Sequence, residues 1–176
     1  MIDLRRYIAV AGDSRLVLSR AGRCAFVTTA HKTSHPSERA RILAANGTIE
    51  DERVNGQLSV TRAIGDADLF PYLTAEPDVY IQDADEDDDF ALMASDGIWD
   101  AVTPDAAVAF VHEQLQAYSA LADAEQAKHA SAADFAADAL KDEAMRLGSN
   151  DNISVIIVVF GKLRAVDRQQ QALQQE

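Results

Sequence analysis

From Ile153 to Phe160 the chain is apolar at every position except Ser154, and most of those residues are β-branched. Such side chains are stiff about χ1, which suits a pleated strand better than a helix. A run with no polar alternation predicts a strand covered on both faces, the central strand around which the other elements are expected to gather.

The remaining pattern mixes strands and helices. Tyr7 to Ala11, Leu16 to Leu18 and Cys24 to Val27 are short apolar runs separated by Gly12-Asp13-Ser14 and Ala21-Gly22. They read as a β-meander. Pro36 can open a helix over residues 38 to 45, with Asn46-Gly47 as a left-handed exit. Residues 48 to 64 read as strand, turn and strand around Asn55-Gly56, a dipeptide favoured in tight hairpins. Val79 to Ile81 and Phe90 to Ala94 are further strands. The acidic run 83–89 between them predicts a solvated loop, because its sixth and twelfth places, Asp88 and Ala94, lack the glycine and glutamate of a calcium loop. Thr103-Pro104-Asp105 starts one helix, with Val108, Val111, Leu115, Tyr118 and Ala122 on its apolar stripe. Ser131 caps a second, closed by Gly148, whose stripe is Ala133, Ala137, Leu140, Ala144 and Leu147.

The 176 residues suffice for one domain with a sizeable core. The formal charge of −13 argues against a nucleic-acid backbone binder, which needs clustered Lys and Arg. No apolar run is long enough for a membrane span, and the residues after Met1 lack the apolar stretch of a signal peptide. Cys24 is the only cysteine, so no internal disulfide forms, which fits a reducing, intracellular and cytoplasmic setting. The residues from Lys162 onward, polar and glutamine-rich, read as a tail.

Three aspartates share one setting. Asp13 and Asp96 each follow a strand candidate, and Asp151 precedes one. If the last strand runs antiparallel to the other two, all three carboxylates reach one sheet edge. Two unit charges about 4 Å apart repel by about 4 kcal/mol at an effective dielectric of 20, a cost that a divalent cation removes. Oxygen ligands with no histidine or cysteine suit Mg2+ or Mn2+. The competing reading is that Asp13 and Asp151 are ordinary turn acids.

Six ordered segments carry a resemblance: Ala11-Gly12-Asp13-Ser14-Arg15; His31-Lys32; Arg53 through Asp66, including Val60-Thr61-Arg62-Ala63-Ile64-Gly65; Ala75-Glu76-Pro77-Asp78-Val79; Ala94-Ser95-Asp96-Gly97-Ile98-Trp99-Asp100; and Gly148 through Val155. Together they resemble the metal-dependent, type 2C protein serine/threonine phosphatases. The resemblance implies an α+β fold, an antiparallel β-sandwich flanked by helices, with residues 1–161 as the C-terminal part of the domain and 162–176 as the tail. It implies hydrolysis of phosphoserine and phosphothreonine by a metal-activated water, with Mg2+ or Mn2+ as cofactor and a phosphoprotein as substrate. Asp96 and Asp151 match ligands of the first metal, and Asp13 matches a ligand of a third; Asp100 matches a residue acting through a coordinated water. Residues 64–76 match a flap beside the cleft. Arg62 could contact a phosphorylated ligand or form a structural ion pair, and His31 and Lys32 are expected to be structural.

The family domain begins upstream of the Gly-Asp-Ser motif, and that portion carries the bridging aspartate, the phosphate-gripping arginine and the histidine proposed as general acid. None has a counterpart here, so no catalytic residue is assigned. The sandwich is expected to be incomplete at its N-terminus, with a partner chain or self-association covering it. The rival expectation is a non-catalytic pseudophosphatase scaffold or regulatory subunit.

Overall fold

The β-branched run does form a strand, but one with a bare face. The computed structural model describes residues 4–160, and the expected tail at 162–176 lies outside the described residues. In chain order the elements are β1 (Arg5–Val10), β2 (Arg15–Arg20), β3 (Arg23–Val27), α1 (Pro36–Ala44), β4 (Ile49–Glu50), β5 (Arg53–Val54), β6 (Asp78–Asp83), β7 (Asp88–Ala94), α2 (Asp96–Trp99), α3 (Pro104–Ser119), α4 (Asp123–Gln126), α5 (Ala132–Arg146) and β8 (Val155–Val159). A 3-10 turn at Ala67–Leu69 falls between β5 and β6. This is an α+β chain, and it divides into two compact units.

The first unit comprises Leu16–Val27 and residues 84–160. Its sheet has the order β3-β2-β7-β8, with β2–β3 and β7–β8 antiparallel. Phe90, Leu92 and Ala94 of β7 point into a core shared with Val17, Trp99, Val108, Val111 and Leu140, and Val155 and Ile157 of β8 pack against it. Helices α3 and α5 pack on each other, α3 also touching β3 and α5 touching β8. Both caps form as the sequence predicts: Thr103 Oγ1 accepts from the Ala106 amide and Ser131 Oγ from the Asp134 amide. On α5 the buried line is Ala136, Leu140 and Ala144, whereas Leu147 is exposed.

Two expectations change in this unit. The strand β8 ends the described sheet instead of lying at its centre, and Ile156 and Val158 are exposed. An apolar run reports side-chain character on both faces but not which face is covered. The acidic run is also less solvated than expected. Asp88 belongs to β7 and is buried, held by Arg20 Nε at 2.7 Å, while Asp89 accepts from Ser19 Oγ and the Gly22 amide.

The second unit comprises Leu4–Arg15 and Thr28–Asp83. Here β1 pairs antiparallel with β6, in register from Arg5↔Asp83 to Val10↔Asp78. The expected meander therefore breaks after β1. Its backbone groups are taken by a strand distant in sequence, which a local turn signal cannot foretell. Tyr7, Val79 and Ile81 stand exposed on one face of this pair, and Ile8 is buried on the other. The short β4–β5 hairpin turns at Asp51-Glu52, both at positive φ, and not at Asn55-Gly56. Asn55-Gly56 makes the next turn, pinned by Asn55 Oδ1 accepting from the Thr48 amide. No helix among the described residues is long and apolar enough to cross a membrane.

Leu140 is fully buried under α3 and the sheet's core residues. Leu140→Ala is expected to lower stability by about 2–5 kcal/mol, read as an earlier urea midpoint at an unchanged m value.

Candidate metal centre

Strand β7 ends at Ala94, Ser95 precedes α2 without a side-chain cap bond, and α2 begins at Asp96. The register Ala94↔Val155 brings the exit of β7 level with the entrance of β8. Asp96 and Asp151 therefore flank the same sheet edge, as the antiparallel argument requires. Hydrogen bonds stitch the two segments. The Ser95 amide donates to Ser154 O at 3.1 Å, the Ser154 amide to Ser95 Oγ at 3.1 Å, and Ser95 Oγ to Asn152 O at 3.1 Å. Ser149 Oγ donates to Gly97 O at 2.6 Å.

Gly97 is required by this contact. A Cβ there would sit 2.6 Å from Asn152 O and 3.0 Å from Ile153 Cγ1, so any side chain would push the segments apart. Trp99 locks the short helix from below, its Nε1 donating to Ala94 O at 2.7 Å. Beside the stitched segments opens a cavity of about 410 Å³, lined by Gly97, Asp100, Ser149, Asn150 and Asp151 among others. Asp96 is half-buried; Asp100 and Asp151 are exposed. The donor set is made of oxygen atoms alone, which fits Mg2+ or Mn2+.

Asp13 lies in the other unit. Because β1 pairs with β6, the expectation that three strands of one sheet deliver three carboxylates is corrected: that edge carries Asp96 and Asp151. Asp13 follows Gly12, whose φ of +115° is open to glycine and strained for other residues. Its half-buried carboxylate lies 3.4 Å from Lys32 Nζ, so the position already accommodates a cation.

An extended polar chain surrounds this turn. The Gly12 amide donates to His31 Nδ1 at 3.1 Å, and His31 Nε2 faces Asp78 Oδ2 at 3.2 Å. Arg62 donates to Asp78 Oδ1 at 2.8 Å and to Glu38 Oε1 at 2.6 Å, while Arg41 and Thr61 Oγ1 donate to Glu38 Oε2. Of the two roles open to Arg62, the structure shows the ion pair. Burial opposes ionisation of Glu38, yet the bonds from Arg62, Arg41 and Thr61 prevail and lower its pKa to about 2. Asp78 is likewise held below the usual carboxylate range: burial works against ionisation, and His31 and Arg62 outweigh it. The sequence pointed to His31 and Arg62, but Glu38, as one acid within a helix, gave no signal.

Among the described residues, one group of potential ligands gathers within 4.8 Å: His129, Asp134 and Asp138. The spacing was missed because the histidine precedes α5 while both acids lie on it. Asp134 already accepts from the Ala130 amide and Asp138 from Lys141.

A profile of the protein phosphatase 2C family matches residues 2–153. The chain belongs to the protein phosphatase 2C family. It is 40% identical over 164 residues to "Probable protein phosphatase 2C 8" of Oryza sativa subsp. japonica, covering 92% of this chain and 40% of that one. It is 39% identical over 166 residues to "Probable protein phosphatase 1N" of Homo sapiens, covering 88% of this chain and 35% of the relative. Among solved structures, a phosphatase from a pathogenic strain of Toxoplasma gondii aligns over 90% of this chain and 48% of its own, at a TM-score of 0.73 and 30% identity. A C. elegans sex-determining protein aligns over 93% of this chain and 39% of its own, at a TM-score of 0.75 and 25% identity. The chain thus spans between 24% and 40% of the length of these and other curated relatives it matches. Residues 64–76 of this 2C chain are anchored by buried Leu69 and Leu73, with the Ala63 amide donating to Thr74 O, and they expose Ile64 and Phe70.

Glu38 supplies a test of pH dependence. Its folded pKa lies below its ordinary 4.5, so its contribution is complete above about pH 4.5 and is lost as pH falls through about 2. Glu38→Gln should cost about 3 kcal/mol near neutrality, since it removes the buried charged acceptor that Arg62, Arg41 and Thr61 share. Urea titrations across pH should show the gap between the two proteins closing from pH 4.5 downward.

Proposed function

We propose that this chain is the metal-holding C-terminal part of a protein serine/threonine phosphatase acting on phosphoserine and phosphothreonine in phosphoproteins. The observation that supports this reading is the β7–β8 register, which brings the chain at Asp96 and the chain at Asp151 to one end of the sheet in a 2C family member, with Asp151 and Gly97 lining a cavity there. Asp96 and Asp151 would hold Mg2+ or Mn2+, and Asp13 would serve a further cation. Such cations, when bound, supply charge neutralisation and an activated water. The chain's own part is to hold oxygen ligands in place: the Ser95, Ser149 and Ser154 bonds fix the two segments, and the Gly97 contact keeps them close. Asp100, which lines that cavity, would orient a water.

The exposed apolar residues of β8 and of the β1–β6 pair support association with a partner chain or a second copy. Those surfaces also suit the rival reading, a scaffold without turnover.

Calorimetry with Mn2+ tests the metal assignment: Asp96→Asn or Asp151→Asn should weaken binding at least about tenfold, as loss of a charged ligand does. A wild-type chain that binds no Mn2+ sinks the assignment. Phosphate release from a phosphopeptide that needs Mn2+ and disappears in Asp96→Asn overturns the scaffold reading; metal binding with no release supports a half-site that is completed by the upstream segment or a partner chain.

A further inference from the structure

The register of β1 with β6 ends at Val10↔Asp78, so Gly12 lies beyond the ladder and its amide needs another acceptor. His31 supplies it. Nδ1 accepts the Gly12 amide at 3.1 Å, and the His31 amide donates to Gly12 O at 2.9 Å. Gly12 is thereby gripped at both its donor and its acceptor by one residue. The next residue, Lys32, reaches Asp13 at 3.4 Å, so the pair His31-Lys32 clasps the pair Gly12-Asp13.

The bonding fixes the imidazole's proton. A nitrogen that accepts from an amide carries no hydrogen, so the ring proton sits on Nε2 and is donated to Asp78 Oδ2. Asp78 is held in turn by Arg62, Arg62 by Glu38, and Glu38 by Arg41 and Thr61. The circuit closes on the starting residue, because the Thr61 amide donates to His31 O at 2.8 Å. His31 is 1% exposed and has no freedom to turn its ring without breaking one of these bonds.

A circuit of ions that closes on the buried Glu38 is a poor way to gain stability, since apolar side chains of similar volume commonly do as well. Its distinctive property is directional: it selects one tautomer and one ring orientation. We propose that His31 is a positioning residue for the Gly12-Asp13 turn, its Nδ1 setting the direction in which the Asp13 carboxylate projects, with Asp78, Arg62 and Glu38 holding the ring. The link to metal rests on the reading of Asp13 given above; the link to the turn does not.

Two isosteric replacements separate positioning from packing. His31→Asn keeps an acceptor near the Nδ1 position and loses the donor to Asp78; His31→Gln keeps a donor near the Nε2 position and loses the acceptor for Gly12. Thermal melts should show both destabilised to a similar degree. Amide hydrogen exchange by NMR should differ: Gly12 stays protected in His31→Asn and exchanges at least about tenfold faster in His31→Gln, the equivalent of one lost hydrogen bond. In a Mn2+ titration read by paramagnetic broadening, Asp13 should respond in the wild type and in His31→Asn, and only at about tenfold more Mn2+ in His31→Gln. Equal Gly12 exchange in the two variants overturns the proposal. If the wild-type Asp13 signal ignores Mn2+, the metal reading of Asp13 fails, and the Gly12 exchange alone decides the positioning role. Should neither variant fold, imidazole 15N shifts of the wild type decide it: a proton on Nε2 alone supports the proposal, and a proton on Nδ1 overturns it.

Discussion

Gly97 rests on Asn152 too closely for any side chain, and the candidate site depends on that approach. Antiparallel pairing of β7 and β8 makes the two chain segments neighbours, but pairing alone leaves strand backbones nearly 5 Å apart. Removing the side chain at Gly97 lets the segment after β7 rest directly on the backbone before β8. Ser95 and Ser149 then convert that proximity into fixed hydrogen bonds. The backbone that carries Asp96 and Asp151 is thereby held rigid, which is what a pair of ligands to one cation would require.

The second unit solves a related problem by other means. Asp13 follows a glycine at positive φ and cannot rely on a sheet ladder for its placement. Its order is drawn from a chain of charge-assisted bonds that ends on the buried Glu38. One unit thus uses steric intimacy and short neutral bonds, the other an ionic circuit. The circuit is more sensitive to acid, because its terminal member must stay ionised to accept three donors at once.

How much of this could be read from residues follows from the range of each signal. Helix caps at Thr103 and Ser131 were legible because capping is a contact between residues three apart. The sharing of an edge by Asp96 and Asp151 was legible because it needs only antiparallel pairing of two recognisable strands. The fate of β1 was not, since its pairing with β6 spans most of the second unit and leaves no local trace. Asn55-Gly56 misplaced a hairpin because its backbone preference was real but was used one turn later, after Asp51 and Glu52 had taken up the same left-handed conformation without glycine. Glu38 was invisible: its partners Arg41, Thr61, Arg62 and, through Arg62, Asp78 come together only in three dimensions.

The run from Ile153 to Phe160 carries the remaining tension. Its composition asks for cover on two faces, and the helices of the first unit cover one. Ile156 and Val158 remain exposed on the other, as do Tyr7, Val79 and Ile81 on the β1–β6 pair. Burying a side chain of this size is worth about 1.5–3 kcal/mol, so several together are a substantial incentive to associate. Polar surfaces tolerate a substitution on such a face; apolar ones invite contact. The apolar character of these strands is therefore a requirement on what surrounds them, separate from the candidate metal centre, and a mutation to lysine on the open face of β8 would relieve it without touching Asp96 or Asp151.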